Sequence, residues 1–163
     1  MYGDIERRFD ALLAQHGASL GRLAASYARA PGEREHLFQE IAIAIWQALP
    51  RSRGECSERT FLFRIAHNRG IAHIARRRLL TTDIDDRLEI EDVRPNPEQI
   101  VATGQQDQRL LEAVRQLPVA YRQVVTLTLE GLSYGEIADV LGITESNVGA
   151  RLTRARQMLR RQL

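Results

Sequence analysis

The chain has 163 residues, 44% hydrophobic and 27% charged, with 5 Pro and 11 Gly. It is long enough for one ordinary domain or two small helical ones, and too apolar to be disordered or fibrous. The formal net charge is only +2, yet all 23 basic residues are Arg, each a planar fork suited to phosphate or guanine. A GC-rich genome yields the same bias, so the distribution of charge carries more information than its total. A single cysteine, Cys56, excludes an internal disulfide and a cysteine-based zinc site. The start of the chain shows no apolar run resembling a signal peptide, and no stretch approaches the ~18 apolar residues of a membrane helix. A cytoplasmic protein without membrane insertion is expected.

In chain order, helices are predicted from Asp4 to about His16, Ser19 to about Arg29, Glu33 to about Leu49, and Glu58 to about Leu80. Breaks at Gly17, Pro31-Gly32 and Pro50 to Gly54 separate them into a four-helix unit. From Thr81 to about Ala102 the helical period disappears. Asp83, Asp85, Asp86, Glu89, Glu91, Asp92 and Glu98 there face only Arg87 and Arg94, with Pro95 and Pro97 nearby, which reads as an acidic, extended linker. Four more helices follow, at Gln105 to Gln116, Ala120 to Glu130, Tyr134 to Leu141 and Glu145 to Gln162. Pro118 opens the second of these, and Gly131 and Gly142 stand where helix ends favour glycine. The fold class is all-α: two small helical domains joined by an acidic linker.

Ser133-Tyr134-Gly135-Glu136 has the form of a capping box, so a short helix starts at Tyr134. Ile137, Ala138 and Leu141 make its apolar face, Gly142 ends it, and Thr144 caps the next helix after a tight turn. On that last helix Val148, Leu152, Ala155 and Leu159 form one stripe at 3.6 residues per turn. The opposite face carries Ser146, Gly149, Ala150, Thr153, Arg154 and Gln157, flanked by Arg151, Arg156, Arg160 and Arg161. Little bulk, groups for base edges and cations for phosphates are what a helix entering the DNA major groove needs. Charge alone favours an ordinary solvated face; the capped helix and turn before it shift the reading to DNA.

In the N-terminal half, Leu37, Ile41, Ile45 and Ala48 share one side of their helix, while Ile43 and Trp46 lie on the other beside Gln39. An outward apolar patch suggests a protein partner; the alternative is a central helix covered on all sides by its own bundle. The next helix places Phe61, Ile65, Ala72, Ala75 and Leu79 inward and crowds His67, His73, Arg77 and Arg78 outward, with Arg64, Arg69 and Arg76 flanking. This is a second candidate nucleic-acid surface. Asn68 falls in the apolar stripe, as a core amide or a base reader.

Two stretches now resemble the extracytoplasmic-function (ECF) sigma factors, the short class retaining only regions 2 and 4 of the larger sigma-70 proteins. The first is Glu35-His36-Leu37-Phe38-Gln39-Glu40 through Trp46, with Thr60 to Asn68 and Arg76-Arg77-Arg78. The second is Leu117-Pro118 through Arg122, Gly131 to Ala138, and Asn147 to Arg156. The resemblance implies a region 2 bundle over 1–80, the linker over 81–102 and a region 4 helix-turn-helix over 103–163. It implies a non-enzymatic protein that binds RNA polymerase core and directs promoter-specific initiation, with promoter DNA and an anti-sigma factor as the other candidate partners. Gln39, Glu40, Ile43 and Trp46 would dock on the clamp coiled coil of the largest polymerase subunit. The loop from Leu49 to Glu58 and the helix after it would melt and hold the −10 element, with Arg64, His67, Asn68, His73, Arg76 and Arg77 as contacts. The terminal helix would read the −35 element through Ser146, Asn147, Gly149, Ala150, Arg151, Thr153, Arg154 and Arg156. The chain departs from the family's pattern at His36, where Asp is usual, at Phe61, which replaces a common Trp, and at Gly149-Ala150. The last pair replaces more polar residues and implies close backbone approach.

Two other readings compete: a helix-turn-helix regulator that binds DNA alone, and a helical nucleic-acid-processing enzyme. The acidic linker and the face around Trp46 disfavour the first. The second needs converging acids or a metal cluster, and no Walker loop, dinucleotide fingerprint or nucleophile elbow is present. His16, His36, His67 and His73 make no metal-ligand spacing, so no metal or cofactor is expected.

Overall fold

The computed structural model describes residues 2–81 and 104–163. The linker expected over 81–102 lies outside the described residues beyond Thr81. The elements are α1 (Tyr2–Tyr27), α2 (Pro31–Ala48), a 3-10 turn (Leu49–Arg51), α3 (Glu58–Thr81), α4 (Gln105–Gln116), α5 (Val119–Leu129), α6 (Tyr134–Leu141) and α7 (Glu145–Gln162). The described residues contain no strand.

The predicted break at Gly17 is corrected: α1 runs unbroken for 26 residues. A glycine inside a helix costs roughly 1 kcal/mol against alanine. The continuous stripe of Leu12, Leu20, Leu23, Ala24 and Tyr27 on either side of it is buried, and that burial outweighs the local cost. The N-terminal unit is therefore three long helices, each packed on the other two. Pro31 sits in the first turn of α2, where its missing N–H is no loss, with Ala30 extended before it. Pro50 ends the helix into the 3-10 turn, and the Ser57 hydroxyl accepts the Thr60 N–H to start α3. Leu37, Ile41 and Ile45 of α2 are fully buried, each by its burial stabilising the bundle by roughly 1.5–3 kcal/mol.

The phase of α3 also differs from the sequence expectation. Its buried residues are Thr60, Leu62, Phe63, Ala66, His67 and Gly70, whereas Asn68, Ala75 and Leu79 face outward. Phe61 and Ile65 are only partly buried. The reason is Tyr27, at the end of α1. Its hydroxyl lies 2.7 Å from His67 Nδ1, its ring meets the imidazole edge-on at 5.7 Å, and it presses against Gly70. A Cβ on Gly70 would fall 2.5 Å from the Tyr27 ring, so only glycine lets the two helices meet here.

In the C-terminal unit α7 packs across α5 and α6, with Val148, Leu152 and Ala155 buried beneath it. The units also pack on each other, α6 against α3 and the pair α4–α5 against α1.

Candidate nucleic-acid and polymerase interfaces

The helix-turn-helix is built by local chemistry. The Ser133 hydroxyl accepts the Glu136 N–H at 3.2 Å, and Glu136 Oε1 accepts the Ser133 N–H at 3.1 Å, closing the capping box. Gly142 takes the left-handed conformation at φ 69°, which turns the chain out of α6. Thr144 then caps α7 by accepting the Asn147 N–H. With Val148, Leu152 and Ala155 committed to the core, Ser146, Asn147, Ala150, Thr153, Arg154 and Arg156 are exposed on α7, and Gly149 and Arg151 are half-exposed. Arg151 Nε donates to Asn147 Oδ1 at 3.2 Å, and the Thr153 hydroxyl donates to the Gly149 carbonyl at 3.0 Å. Thr153 thus has its hydroxyl proton engaged. Tyr134, which the sequence reading did not single out as a contact, is exposed beside Gly149; a Cβ there would touch its ring at 3.5 Å.

On the N-terminal unit, Gln39 and Ile43 face solvent, Ile43 at 57% exposure. Trp46 is half-buried, its ring edge-on to Phe9 of α1 at 5.3 Å, so the expectation that it stands on the outer face is corrected in part. Glu40 takes Arg76 at 2.7 Å and His36 at 3.1 Å; the Arg76 hydrogen bond, with nearby positive charge, outweighs burial and holds the Glu40 carboxyl below its usual range. Glu33 likewise takes Arg77 at 2.8 Å and lies 3.7 Å from His73. Residues expected to face two different partners therefore pair across α2 and α3.

His67 is the clearest correction among the −10 candidates. It is 2% exposed and held by Tyr27, so it reaches no surface in this structure. His73 is largely enclosed as well. Asn68 and Arg64 are exposed, but an Arg64 Nη2 donates to the Asp139 carbonyl of α6 at 2.6 Å. Beside them, the loop after α2, the start of α3 and α6 enclose a polar cleft of about 760 Å³ that includes Arg51, Arg53, Cys56 and Phe61.

The seam between the units is made by arginines that no local spacing marks. Arg22 grips Glu130 with two bonds, 2.6 and 2.8 Å. Arg59 reaches Glu136 Oε2 at 2.6 Å. Arg115 Nε donates to the Ala25 carbonyl at 2.9 Å. Arg122 donates to the carbonyls of Arg115 and Leu117 at 2.7 and 3.0 Å, and to that of Ser26 at 3.4 Å, while lying 5.8 Å over the Tyr27 ring. These carbonyls are at the C-terminal ends of α1 and α4, where helix dipoles favour a cation. Burial lowers the Arg115 and Arg122 pKa values, but an arginine still keeps its charge.

Among the described residues no group of three or more His, Cys, Asp or Glu could hold a metal ion, and no helix is long and apolar enough to cross a membrane. Comparison with known proteins matches residues 12–79 to Sigma-70 region 2 and residues 107–159 to Sigma-70, region 4. The RNA polymerase sigma factor CnrH of Cupriavidus metallidurans is 30% identical over 163 residues, covering 94% of this chain and 85% of its own. The ECF RNA polymerase sigma-E factor of Escherichia coli is 28% identical over 165 residues, with the same two coverages of 94% and 85%. Among solved structures, CnrH in complex with the cytosolic domain of CnrY superposes with a TM-score of 0.69 at 25% identity, over 94% of this chain and 86% of that one. The fold is shared more closely with the sigma factor RpoE of Bartonella quintana in complex with the anti-sigma factor NepR, at TM-score 0.78 and 24% identity over 96% of each chain. The chain belongs to the extracytoplasmic-function sigma factors of the sigma-70 family, which direct RNA polymerase to begin transcription at promoters.

Proposed function

We propose that the α1–α3 unit, residues 1–80, docks on polymerase core and holds the melted −10 element, and that the unit from 103 to 163 reads the −35 element through α7. The observation that carries this reading is the exposed face of α7, small and polar at Ser146, Asn147, Gly149, Ala150 and Thr153 and carrying Arg154, behind a fully capped helix-turn-helix. With the Thr153 hydroxyl proton on Gly149, its methyl suits a thymine methyl and its lone pairs a donor. Arg151 and Arg156 flank the face and suit phosphates. On α3, Arg64, Asn68, Arg76 and Arg77 are the exposed −10 contacts we retain. The protein supplies no chemistry of its own and acts where polymerase acts, in the cytoplasm. The NepR complex of the related RpoE supports an anti-sigma factor as a further partner.

In vitro transcription with core enzyme on a library of genomic fragments tests the whole reading: transcripts should start at a defined set of promoters only when this protein is added. Docking is tested separately. Gln39→Ala and Ile43→Ala should each weaken core binding about fivefold, roughly 1 kcal/mol, at unchanged thermal stability. Trp46→Ala should lose stability as well, because its ring packs on Phe9. Core affinities equal to the parent's for Gln39→Ala and Ile43→Ala would sink the docking assignment.

A further inference from the structure

Arginines from both units gather around the C-terminal end of α1: Arg29 and Arg34 from the first, Arg115 and Arg122 from the second. Arg34 Nε donates to the Ala28 carbonyl at 3.1 Å, Arg115 Nε to that of Ala25 at 2.9 Å, and Arg122 Nη1 to that of Ser26 at 3.4 Å. Arg29 and Arg115 share Glu112, at 3.7 and 3.4 Å. Among the described residues Glu112 is the only carboxylate ion-paired with any of these arginines. A helix end offers roughly half a negative charge, so with Glu112 most of the positive charge gathered here stays uncompensated. Two donors are also left over. Arg115 Nη2 and Arg122 Nε are enclosed without a hydrogen-bond partner, a costly condition for a charged group. Burial is the main cause that lowers the pKa of Arg115 and Arg122, and repulsion from the neighbouring arginines Arg34 and Arg29 adds to it. Capping one helix does not require this many cations.

We propose that this arginine cluster is a binding site for a small anion carrying more than one phosphoryl group. The guanidinium fork matches phosphate oxygens bidentately, and forks arriving from two units suit an anion whose charge is spread over more than one tetrahedral group. Arg29, with its side chain 39% exposed, and Arg34, half-exposed, are the direct contacts. Arg115, with its side chain only 10% exposed, and Arg122 add positive charge from beneath, where screening by water is weaker. A nucleic-acid backbone is a poorer fit, because it needs a row of exposed cations and would meet Glu112, whose side chain is 51% exposed beside Arg29. None of these residues is among the promoter or polymerase contacts, so the site stands apart from those assignments. Since each unit supplies two arginines, a bound anion also stabilises the packing of one on the other.

The test is calorimetric titration of the full chain with sodium pyrophosphate at constant ionic strength, where the parent should show saturable binding at one site. Arg29→Gln combined with Arg34→Gln should weaken that binding by about tenfold. Glu112→Gln moves the other way: it removes the carboxylate that competes with the anion, keeps an amide beside Arg29 and Arg115, and should tighten binding by about threefold. Because the two changes have opposite signs, a general loss of folding cannot imitate the pair. Arg160→Gln with Arg161→Gln, on α7, should keep the parent's affinity, which separates the cluster from the general attraction of a basic surface. Heats no larger than those of sodium sulfate at the same ionic strength would overturn the site, as would an affinity unchanged by Arg29→Gln with Arg34→Gln. If pyrophosphate gives no binding while a short single-stranded DNA binds the parent and loses affinity on that double substitution, the arginines serve nucleic acid and the small-anion site falls.

Discussion

Acidifying the protein from pH 7 to pH 5 is expected to remove about 2 kcal/mol of its stability, through His67 alone. Burial in the α1–α3 core pushes the His67 imidazole down to about 3, from an ordinary value of about 6.5 in the unfolded chain. Because the folded value is the lower one, the unfolded chain takes up the proton first. The stability that depends on a neutral His67 is whole above about pH 6.5 and is lost progressively as pH falls toward 3. The carboxyls held low by arginines, Glu40, Glu130 and Glu136, act with the same sign but only below the unfolded carboxylate range near 4.3. The window from pH 7 to 5 therefore leaves those carboxyls out, and comparison with a variant at position 67 separates His67 from the other three histidines. Urea unfolding across that window should show the parent's stability declining, while His67→Gln, which offers Tyr27 an amide but no titrating group, should be flatter even if less stable overall. Parallel slopes for the two proteins would mean that His67 is neutral in both states or charged in both, contrary to its enclosure by Tyr27.

How much of this could be read from the chain depended on the range of the interaction. The helix-turn-helix was legible almost residue by residue, since the Ser133–Glu136 box, the left-handed Gly142 and the Thr144 cap each act through partners no more than four positions away. The stripe of Val148, Leu152 and Ala155 was legible because the rest of α7 is polar and leaves one possible phase. On α3 that condition fails. Phe61, Leu62, Phe63, Ile65, Ala66, Ile71, Ala72, Ile74 and Ala75 surround the axis, so periodicity admits several inner faces. The actual one is chosen by Tyr27, forty residues away, which recruits a histidine and a glycine that hydropathy places outside. Gly17 misled for a related reason: a local propensity of about 1 kcal/mol is small beside the apolar burial of a long helix. The seam arginines were illegible because an arginine that caps another unit's helix has the same sequence signature as one in water.

The two kinds of arginine on α7 should separate cleanly in binding experiments, and Arg154 should show the larger effect. It is exposed on the face opposite Val148, Leu152 and Ala155, with no intrahelical hydrogen bond of the kind that ties Arg151 to Asn147. Its fork can therefore extend to a base edge, where a good bidentate contact discriminates by roughly 1–3 kcal/mol. Arg154→Ala should relax preference at one −35 position by about that amount while other positions keep theirs. Arg151 leans along the helix toward its start, and Arg156 lies on the opposite flank, both nearer to phosphates than to bases. Replacing either should weaken binding to every sequence alike and lower the dependence of log affinity on log salt by about one phosphate's worth, ~0.9 in slope. The measurement is a series of single-base changes in a −35 element, bound by holoenzyme carrying parent or variant protein at two salt concentrations. If Arg154→Ala keeps the parent's base profile and instead loses salt dependence, Arg154 is a phosphate contact and base reading falls to Thr153 and the exposed backbone at Gly149 and Ala150.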